Sequence, residues 1–129
     1  MASVKHKVDR HGILWQTWSG EATMEELVEV AALPVTNDTD SPIKCALTDF
    51  RAVNMAVAPA EVWKLVEQFT SQPDRRRGWR WAVLAEQPDH VGLVTLFQHR
   101  GKEITMEIEL FATEEAAIEW LLSPRSSED

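Results

Sequence analysis

Residues 104–110 carry the pattern that most strongly constrains how this chain can fold. Apolar and polar side chains alternate there one by one, with Ile104, Met106, Ile108 and Leu110 set against Thr105, Glu107 and Glu109. A period of two places one set of side chains on the buried face of a β-strand and the other set in water. We expect an edge strand, because outward glutamates discourage its free edge from pairing with another chain.

A short helix is predicted directly after this strand. Thr113, followed by two glutamates, is a suitable capping residue for its first turn. The helix is expected to end at Leu122, and residues 123–129 are expected to form a frayed tail. Its side chains that face the core are predicted to be Ala117, Trp120 and Leu121.

The rest of the chain alternates in the same way between strand and helix patterns. Strands are predicted at residues 4–9, 13–19, 43–50 and 79–86. The first two form a hairpin around a polar turn, and the third is mostly apolar, as expected for a central strand covered on both faces. Trp15 and Trp18 are three residues apart on a strand, which predicts that they face opposite sides of the sheet.

Three further helices lie between these strands. The first begins at a capping box formed by Thr23 and Glu26 and ends near Pro34, before the polar loop 34–42. The second has Pro59 in its first turn. The third runs from Pro88 to about His99, and Gly101 provides its C-terminal cap.

The predicted order of elements is therefore β-β-α-β-α-β-α-β-α. Strands and helices that alternate after an initial hairpin predict an α/β fold with a mixed, mainly parallel sheet of four or five strands flanked by helices. The 129 residues suit one domain spanning 1–129, and the 44% hydrophobic content excludes a disordered chain.

Charge and cysteine content limit the possible partners and the compartment. The formal net charge of −8 disfavours binding to nucleic acid, which needs a basic surface. No apolar run approaches the roughly 20 residues of a membrane span. The single cysteine, Cys45, cannot form an internal disulfide, which fits a reducing cytosol, and we predict a cytoplasmic protein.

Two segments, taken with the order of elements, resemble a known group of proteins. They are the end of the central strand, Leu47-Thr-Asp-Phe-Arg51, and the closing segment Phe111-Ala-Thr-Glu-Glu-Ala-Ala-Ile-Glu-Trp-Leu121. The chain resembles the bacterial STAS-like (SpoIIAA-like) small domains, which are related in fold to anti-sigma-factor antagonists and to CRAL-TRIO lipid-binding domains. The resemblance covers roughly residues 4–122 and implies a four- or five-stranded sheet flanked by helices.

The regulatory phosphorylation site of the antagonists is not matched in this chain. Those proteins dock to a partner protein and are switched by phosphorylation of a Ser or Thr at the start of the helix after the central strand. The matching junction, residues 49–59, contains neither Ser nor Thr. Thr48 lies one residue earlier, inside the strand, and is a poor substitute. The sigma-factor function is therefore not inferred for this chain.

A first candidate site lies where the parallel strands are expected to end, since open α/β sheets bind ligands at that edge. Asp49 and Arg51 can form a charge pair that positions a ligand carboxylate or phosphate, with Asn54 nearby. His90, beside Asp89, can donate or accept protons near neutral pH. The alternative is structural: both aspartates accept backbone N–H bonds in loops or at helix starts.

A second candidate site is a basic island in this acidic chain. Residues 75–80 hold four of its 13 basic residues, interleaved with tryptophan; the candidate contacts are Arg75, Arg76, Arg77, Trp79 and Arg80. They can bind an anion, or an acidic partner that includes a second copy of this chain. The alternative is a solvated basic loop. Since this segment precedes a strand, it is expected at the rim opposite Asp49 and His90.

No metal site and no cofactor are predicted. The four histidines show no paired ligand spacing, Cys45 has no CxxC partner, and no glycine-rich phosphate loop is present. The tryptophans leave a choice between core and interface, because a small core rarely needs so many. The four concerned are Trp15, Trp18, Trp63 and Trp120.

Two functions remain open on the sequence. The first is a non-enzymatic regulatory or binding module that recognises a protein partner or a small apolar or anionic ligand, and that forms a homo-oligomer, with a dimer favoured. The alternative is a small hydrolase or isomerase using His90 with Asp49 or Asp89. Catalysis requires these side chains to converge within hydrogen-bonding distance beside a pocket, and a binding module does not.

Overall fold

The computed structural model describes residues 2–32, 45–72, 78–104 and 106–123, and these form five strands and four helices in the predicted order. The strands are β1 (Ala2–Val8), β2 (Ile13–Thr23), β3 (Cys45–Ala56), β4 (Arg80–Leu84) and β5 (Glu107–Phe111). The helices are α1 (Met24–Ala32), α2 (Val62–Thr70, preceded by a 3-10 turn at Pro59–Glu61), α3 (Pro88–Arg100) and α4 (Glu114–Leu122). None of the described helices has the length and apolar character needed to cross a lipid bilayer.

The strands form one sheet in the order β1-β2-β3-β4-β5. β1 runs antiparallel to β2, whereas β2, β3, β4 and β5 run parallel to one another. The predicted mixed, mainly parallel sheet is therefore confirmed with five strands, and β5 is an edge strand as expected. This arrangement makes β3 the central strand, with neighbours on both sides.

The helices cover the two faces of the sheet unequally. Helices α1, α2 and α3 pack on one face, where Trp18, Phe50 and Val83 of the sheet form a core with residues of these helices. Helix α4 covers the other face, where Ala117 and Leu121 pack against apolar side chains of β2, β3 and β4. Trp15 belongs to the α4 face and Trp18 to the opposite face, as predicted.

The predicted helix caps form as the sequence indicates. The Thr23 hydroxyl accepts the Glu26 amide at 3.3 Å, and the Glu26 carboxylate accepts the Thr23 amide at 3.0 Å. The two bonds together make a capping box. The Thr113 hydroxyl accepts the Ala116 amide at 3.2 Å and caps α4. Pro34 and the loop 34–42 lie outside the described residues.

Asp9 organises the turn of the β1–β2 hairpin. Its carboxylate accepts the backbone amides of His11 and Ile13 and the Trp15 indole N–H, at 2.8 to 3.1 Å. Burial alone would raise the pKa of Asp9, but these hydrogen bonds outweigh it and lower that pKa. Gly12 completes the turn with a φ of 80°, a conformation that glycine adopts at no steric cost.

The predicted end of β3 at Phe50 is wrong. The strand continues to Ala56 because β2 also continues, to Thr23, and residues 52–56 pair with residues 19–23. β4 stops much earlier, since its last residue, Leu84, is level with Asp49. The pairing that extends β3 is therefore made with a distant part of the chain. Residues 43 and 44, where we expected the strand to begin, lie outside the described residues.

The start of the last strand also differs from the prediction. β5 begins at Glu107 rather than Ile104, because residues 101–104 form a turn in which the Ile104 amide donates to the Gly101 carbonyl at 3.0 Å. A Cβ atom on Gly101 would lie 2.6 Å from the Ile104 side chain and 2.8 Å from the Phe97 carbonyl oxygen. Glycine is therefore required here by close packing after α3.

Candidate functional site

Asp49 and Arg51 form the charge pair that the sequence predicts. The Asp49 carboxylate accepts the Arg51 amide at 2.9 Å and two guanidinium N–H groups at 3.0 and 2.9 Å. The same guanidinium donates to the Glu114 carboxylate of α4 at 3.0 Å. Arg51 thus ties β3 to the start of α4. Two carboxylates therefore compete with any anionic ligand for the Arg51 guanidinium.

Asp49 and Arg51 stabilise each other's charged forms. Burial would raise the pKa of Asp49, but the hydrogen bonds and the charge of Arg51 outweigh it and hold that pKa below its ordinary value. Asp49, and to a smaller extent Glu114, raise the pKa of Arg51. Asp49 and Arg51 are therefore both ionised at neutral pH.

A β-bulge interrupts the pairing of β3 with β2 at this cluster. Between the pairs Thr17–Asp49 and Ser19–Ala52, β2 advances two residues and β3 advances three. The extra residue in β3 shifts the alternation of faces, which is the usual effect of a bulge. Both residues lie inside β3, although the sequence predicted that this strand ends at Phe50. Asp49 is level with Leu84, the last residue of β4.

The other residues of the first candidate site do not join this cluster. Asn54 is exposed on the extension of β3, and no hydrogen bond links it to Asp49 or Arg51. Asp89 is exposed in the first turn of α3. His90, the next residue, is 1% exposed, and neither ring nitrogen has a hydrogen-bond partner among the described residues. The structure therefore brings His90 into hydrogen bonding with neither Asp49 nor Asp89.

The second candidate site is described only in part. Arg75, Arg76 and Arg77 lie outside the described residues. Trp79 is buried beside Ala46, with 8% of its surface exposed. Arg80, the first residue of β4, is also buried, and its side chain points to α4.

Arg80 holds the C-terminus of α4. Its guanidinium donates to the carbonyl oxygens of Trp120 and Ser123 at 2.6 and 2.8 Å and to the Ser123 hydroxyl at 3.0 Å. The guanidinium also lies 5.4 Å from the centre of the Trp120 ring, and its Nε is 3.4 Å from the Glu107 carboxylate. A cation at this position is favourable, because the last carbonyl groups of a helix carry a partial negative charge.

No group of three metal-ligating side chains is found in the described ranges. The described residues that could receive a ligand instead surround a cavity on the opposite face of the sheet from α4. It lies between the sheet and helices α1 and α2 and has a volume of about 60 Å³. Most of its walls are apolar and include Trp18, Leu27, Ala31, Leu65, Phe69 and Trp81.

A chain of neutral hydrogen bonds crosses the wall of this cavity. The Trp81 indole N–H donates to the Thr48 hydroxyl at 2.7 Å, and that hydroxyl donates to the Gln16 side-chain oxygen at 3.0 Å. The three residues come from β4, β3 and β2, and all three line the cavity. Thr48 is 1% exposed, whereas Gln16 is half-buried. The Gln16 amide nitrogen donates to no group among the described residues.

A second cavity of about 50 Å³ adjoins the first and differs from it in chemistry. Both are lined by Leu27, Phe50, Leu65 and Trp81, which therefore stand between them. The other residues around the second cavity are aliphatic or aromatic, among them Met24, Met55, Val62 and Phe97. The polar groups are thus confined to the first cavity.

Sequence reasoning missed Gln16, Thr48 and Trp81 as a set. A signal was present: Gln16 and Thr48 are polar residues at core-facing positions of apolar strands, and the parallel pairing of β2 with β3 places them side by side. Trp81 lies one residue beyond the basic island and is not among its predicted contacts. The three meet only once the order of the strands is known.

An exposed groove lies between α1 and α2 on the outer surface. Trp63, which is 51% exposed, lines it together with Val28. Glu25, Glu29 and Glu67 make it acidic, and Lys64 lies 3.7 Å from the Glu25 carboxylate. Of the four tryptophans that left a choice between core and interface, Trp18 is buried, Trp15 and Trp120 are partly buried on the α4 face, and Trp63 is exposed.

Comparison with known proteins identifies the fold of this chain. No protein-family model matches the chain, and no curated protein is significantly similar to it. A crystal structure of an uncharacterised protein of the DUF3478 family from Shewanella loihica, with a SpoIIAA-like fold, is similar with a TM-score of 0.55 and 15% identity. The match covers 93% of each chain. The chain therefore has a SpoIIAA-like α/β fold, as its sequence resemblance implied.

Proposed function

We propose that the protein is a non-enzymatic binding module for a small apolar molecule, held between the sheet and helices α1 and α2. The observation that carries the proposal is the hydrogen-bond chain from Trp81 through Thr48 to Gln16, which ends in the wall of an apolar cavity. Apolar walls with a few placed polar groups are typical of small-molecule sites. The absence of a hydrogen bond between His90 and a described carboxylate supports binding over catalysis.

The size of the cavities limits the ligand. Cavities of about 60 and 50 Å³ are each smaller than the roughly 150 Å³ that accommodates benzene. Leu27, Phe50, Leu65 and Trp81 line both cavities, and even joined the cavities are smaller than that volume. A single ring or a short chain therefore binds only if side chains on α1 or α2 move.

Titration with toluene tests this proposal. We expect saturable chemical-shift changes in NMR spectra of the ¹⁵N-labelled chain, largest at the Trp81 indole N–H, because the Trp81 side chain lines both cavities. The Ala31→Leu variant should weaken binding at least fivefold, since Ala31 is buried and lines the cavity. The matched control is Ala32→Leu, at the neighbouring exposed position, which should bind as the wild type does.

Two results would contradict the proposal. One is the absence of any saturable change with toluene at millimolar concentration. The other is equal binding by the Ala31→Leu and Ala32→Leu variants, which would place the probe elsewhere on the molecule. The stability of both variants is measured by urea unfolding, so that a loss of folding is not mistaken for a loss of the site.

The acidic groove favours a second function, contact with another copy of this chain. We propose that the groove around Trp63 receives the basic residues Arg75, Arg76 and Arg77 of a second copy, which would form a homodimer with two such contacts. Charge complementarity supports this, because Glu29 and Glu67 line the groove beside an exposed tryptophan. Tryptophan and arginine are both enriched in interfaces.

The cytoplasmic location of the protein remains a prediction from its sequence.

Sedimentation at two salt concentrations tests the dimer. A contact between arginines and glutamates weakens as salt screens it, so the dimer fraction should fall between 50 and 500 mM salt. Two chains of charge −8 that met through apolar surface alone would instead associate more at high salt. Trp63→Lys should abolish the dimer, whereas Leu122→Lys, at a similarly exposed apolar position on α4, should not. A monomer at every salt concentration would contradict this second function.

A further inference from the structure

We infer that the ligand of the cavity is an uncharged molecule with a hydrogen-bond acceptor, such as the carbonyl oxygen of a ketone, ester or amide, and that Gln16 determines this specificity. The inference rests on the proposed binding of a small apolar molecule between the sheet and helices α1 and α2. It adds the chemical class of that molecule and the residue that selects it.

The direction of the hydrogen-bond chain follows from its first member. An indole N–H can only donate, so the Thr48 hydroxyl must accept from Trp81, at 2.7 Å. The single proton of that hydroxyl then points to the Gln16 side-chain oxygen, at 3.0 Å. Each group in the chain therefore donates towards Gln16.

The orientation of the Gln16 amide is fixed by the same bonds. If the amide were turned over, its NH₂ group would face Thr48, and the hydroxyl proton of Thr48 would lose its acceptor. Thr48 is 1% exposed, so its proton could not turn to bulk water instead. A buried donor without a partner costs about 1 to 3 kcal/mol, which disfavours the turned amide. The NH₂ group is consequently the free end of the chain.

The NH₂ group of Gln16, at the free end of the hydrogen-bond chain, requires a hydrogen-bond acceptor. The Gln16 amide nitrogen carries two N–H groups and donates to no group among the described residues, although Gln16 lines the cavity. A ligand oxygen in the cavity can accept from it. A ligand that offers only donors would leave the amide unsatisfied, and such a mismatch is strongly selected against in apolar sites.

The charge of the cavity excludes an anionic acceptor. None of the described residues that line it is charged. A carboxylate or phosphate buried there would lack a counter-ion, and burial of an unpaired charge is very costly. Of the two ligand classes left open by the sequence, apolar and anionic, the cavity therefore favours the apolar class, with one neutral acceptor.

A pair of probes with the same shape tests the inference. Acetophenone has a carbonyl oxygen where α-methylstyrene has a CH₂ group. Because the two also differ in hydration, the quantity measured is the ratio of their Kd values in the wild type, divided by the same ratio in Gln16→Met. We expect Gln16→Met to weaken acetophenone about fivefold relative to α-methylstyrene, the effect of one neutral hydrogen bond.

A polarity swap makes the test sharper. In Gln16→Glu the carboxylate can still accept from Thr48 but offers no donor, so acetophenone should lose at least as much affinity as in Gln16→Met. Thr17→Val, at an exposed position of the same strand, is the control and should leave the ratio unchanged. Urea unfolding of each variant confirms that it is folded before binding is measured.

The possible outcomes distinguish a failure of the acceptor specificity from a failure of the proposed binding of a small apolar molecule. If both probes bind and the ratio is the same in the wild type, Gln16→Met and Gln16→Glu, the inference is overturned while the binding function stands. If neither probe binds the wild type, both are overturned. If the ratio changes only in the Gln16 variants, the acceptor class and the role of Gln16 are supported.

Discussion

Thr48 and Asp49 are neighbours on β3, yet their side chains belong to opposite faces of the sheet and to opposite kinds of polar structure. On the α4 face, Asp49 is bonded to Arg51, which also reaches Glu114. On the other face, Thr48 lies within a neutral chain that ends at Gln16. The first network is closed, because charges satisfy one another. The second is open at one end, inside a cavity.

The difference indicates where function is to be sought. Charged residues attract attention in a sequence, but Asp49, Arg51 and Arg80 contact the protein's own helix α4 or one another. Neutral residues such as Gln16 are inconspicuous, yet the structure leaves a donor of Gln16 facing a cavity. Substitutions on both faces of the sheet test whether the charged contacts contribute more to stability than the neutral chain does.

The largest effect is expected from Arg80→Met. The substitution removes three hydrogen bonds from the C-terminus of α4 and the contact of the guanidinium with the Trp120 ring. We expect the free energy of unfolding to fall by about 3 kcal/mol. Urea unfolding followed by tryptophan fluorescence measures it. Arg100→Met, at an exposed position of α3, is the control and should change stability by less than about 0.5 kcal/mol.

A small effect of Arg80→Met would contradict the closed network on the α4 face. If stability fell by less than about 1 kcal/mol, the guanidinium would not hold α4 in the way its contacts indicate. Arg80 would then be available to an anion or a partner, as the basic island in the sequence first suggested.

The next effect concerns Asp49→Asn, which leaves the Arg51 guanidinium without its main carboxylate. We expect a loss of about 2 kcal/mol at neutral pH, as for other hydrogen bonds to charged groups. The pKa of Asp49 is lowered by folding, so its contribution is complete above the ordinary value of 3.8 and is lost as the pH falls below it. Unfolding curves of the wild type and the variant should therefore converge in acid.

Glu114→Gln provides the comparison for this cluster. Glu114 contacts the same guanidinium at 3.0 Å, but its side chain is 49% exposed. Exposed ion pairs contribute little, so its loss should cost less than about 1 kcal/mol. Equal effects of Asp49→Asn and Glu114→Gln would show that burial does not set the strength of this network.

The order of strands and helices could be predicted from the sequence because its signals are local. The capping box at Thr23 and Glu26 and the cap at Thr113 each depend on residues three positions apart. The end of β3 could not be predicted in this way, since residues 52–56 are held by pairing with residues 19–23. Local patterns thus determine the type and order of the elements, and distant pairing determines how far β3 extends.

The roles of the site residues were harder to predict for the same physical reason. Arg80 looks like part of a basic loop, but its partners are 40 and 43 residues further along the chain. Thr48 meets Gln16 across 32 residues and Trp81 across 33. The pair of Asp49 and Arg51 was predictable because its members are two residues apart.

Thr48→Val tests the open network, the hydrogen-bond chain from Trp81 to Gln16. The change keeps the shape of the side chain but removes the acceptor of the Trp81 indole N–H. We expect a loss of about 1.5 kcal/mol from the buried donor left without a partner. The Trp81 indole resonance should also move upfield in NMR spectra. Thr17→Val, exposed on β2, is the control; an equal effect at both positions would contradict the hydrogen-bond chain.

The only gain in stability is expected from His90→Leu. His90 is 1% exposed, and both of its ring nitrogens lack a hydrogen-bond partner among the described residues, so it belongs to neither the closed nor the open network. A buried polar group without a partner destabilises a fold, and an apolar side chain of similar size removes that cost. We expect the free energy of unfolding to rise by about 1 kcal/mol in urea. A loss of more than about 1 kcal/mol would contradict this reasoning, because it would mean that the imidazole makes a polar contact that stabilises the first turn of α3.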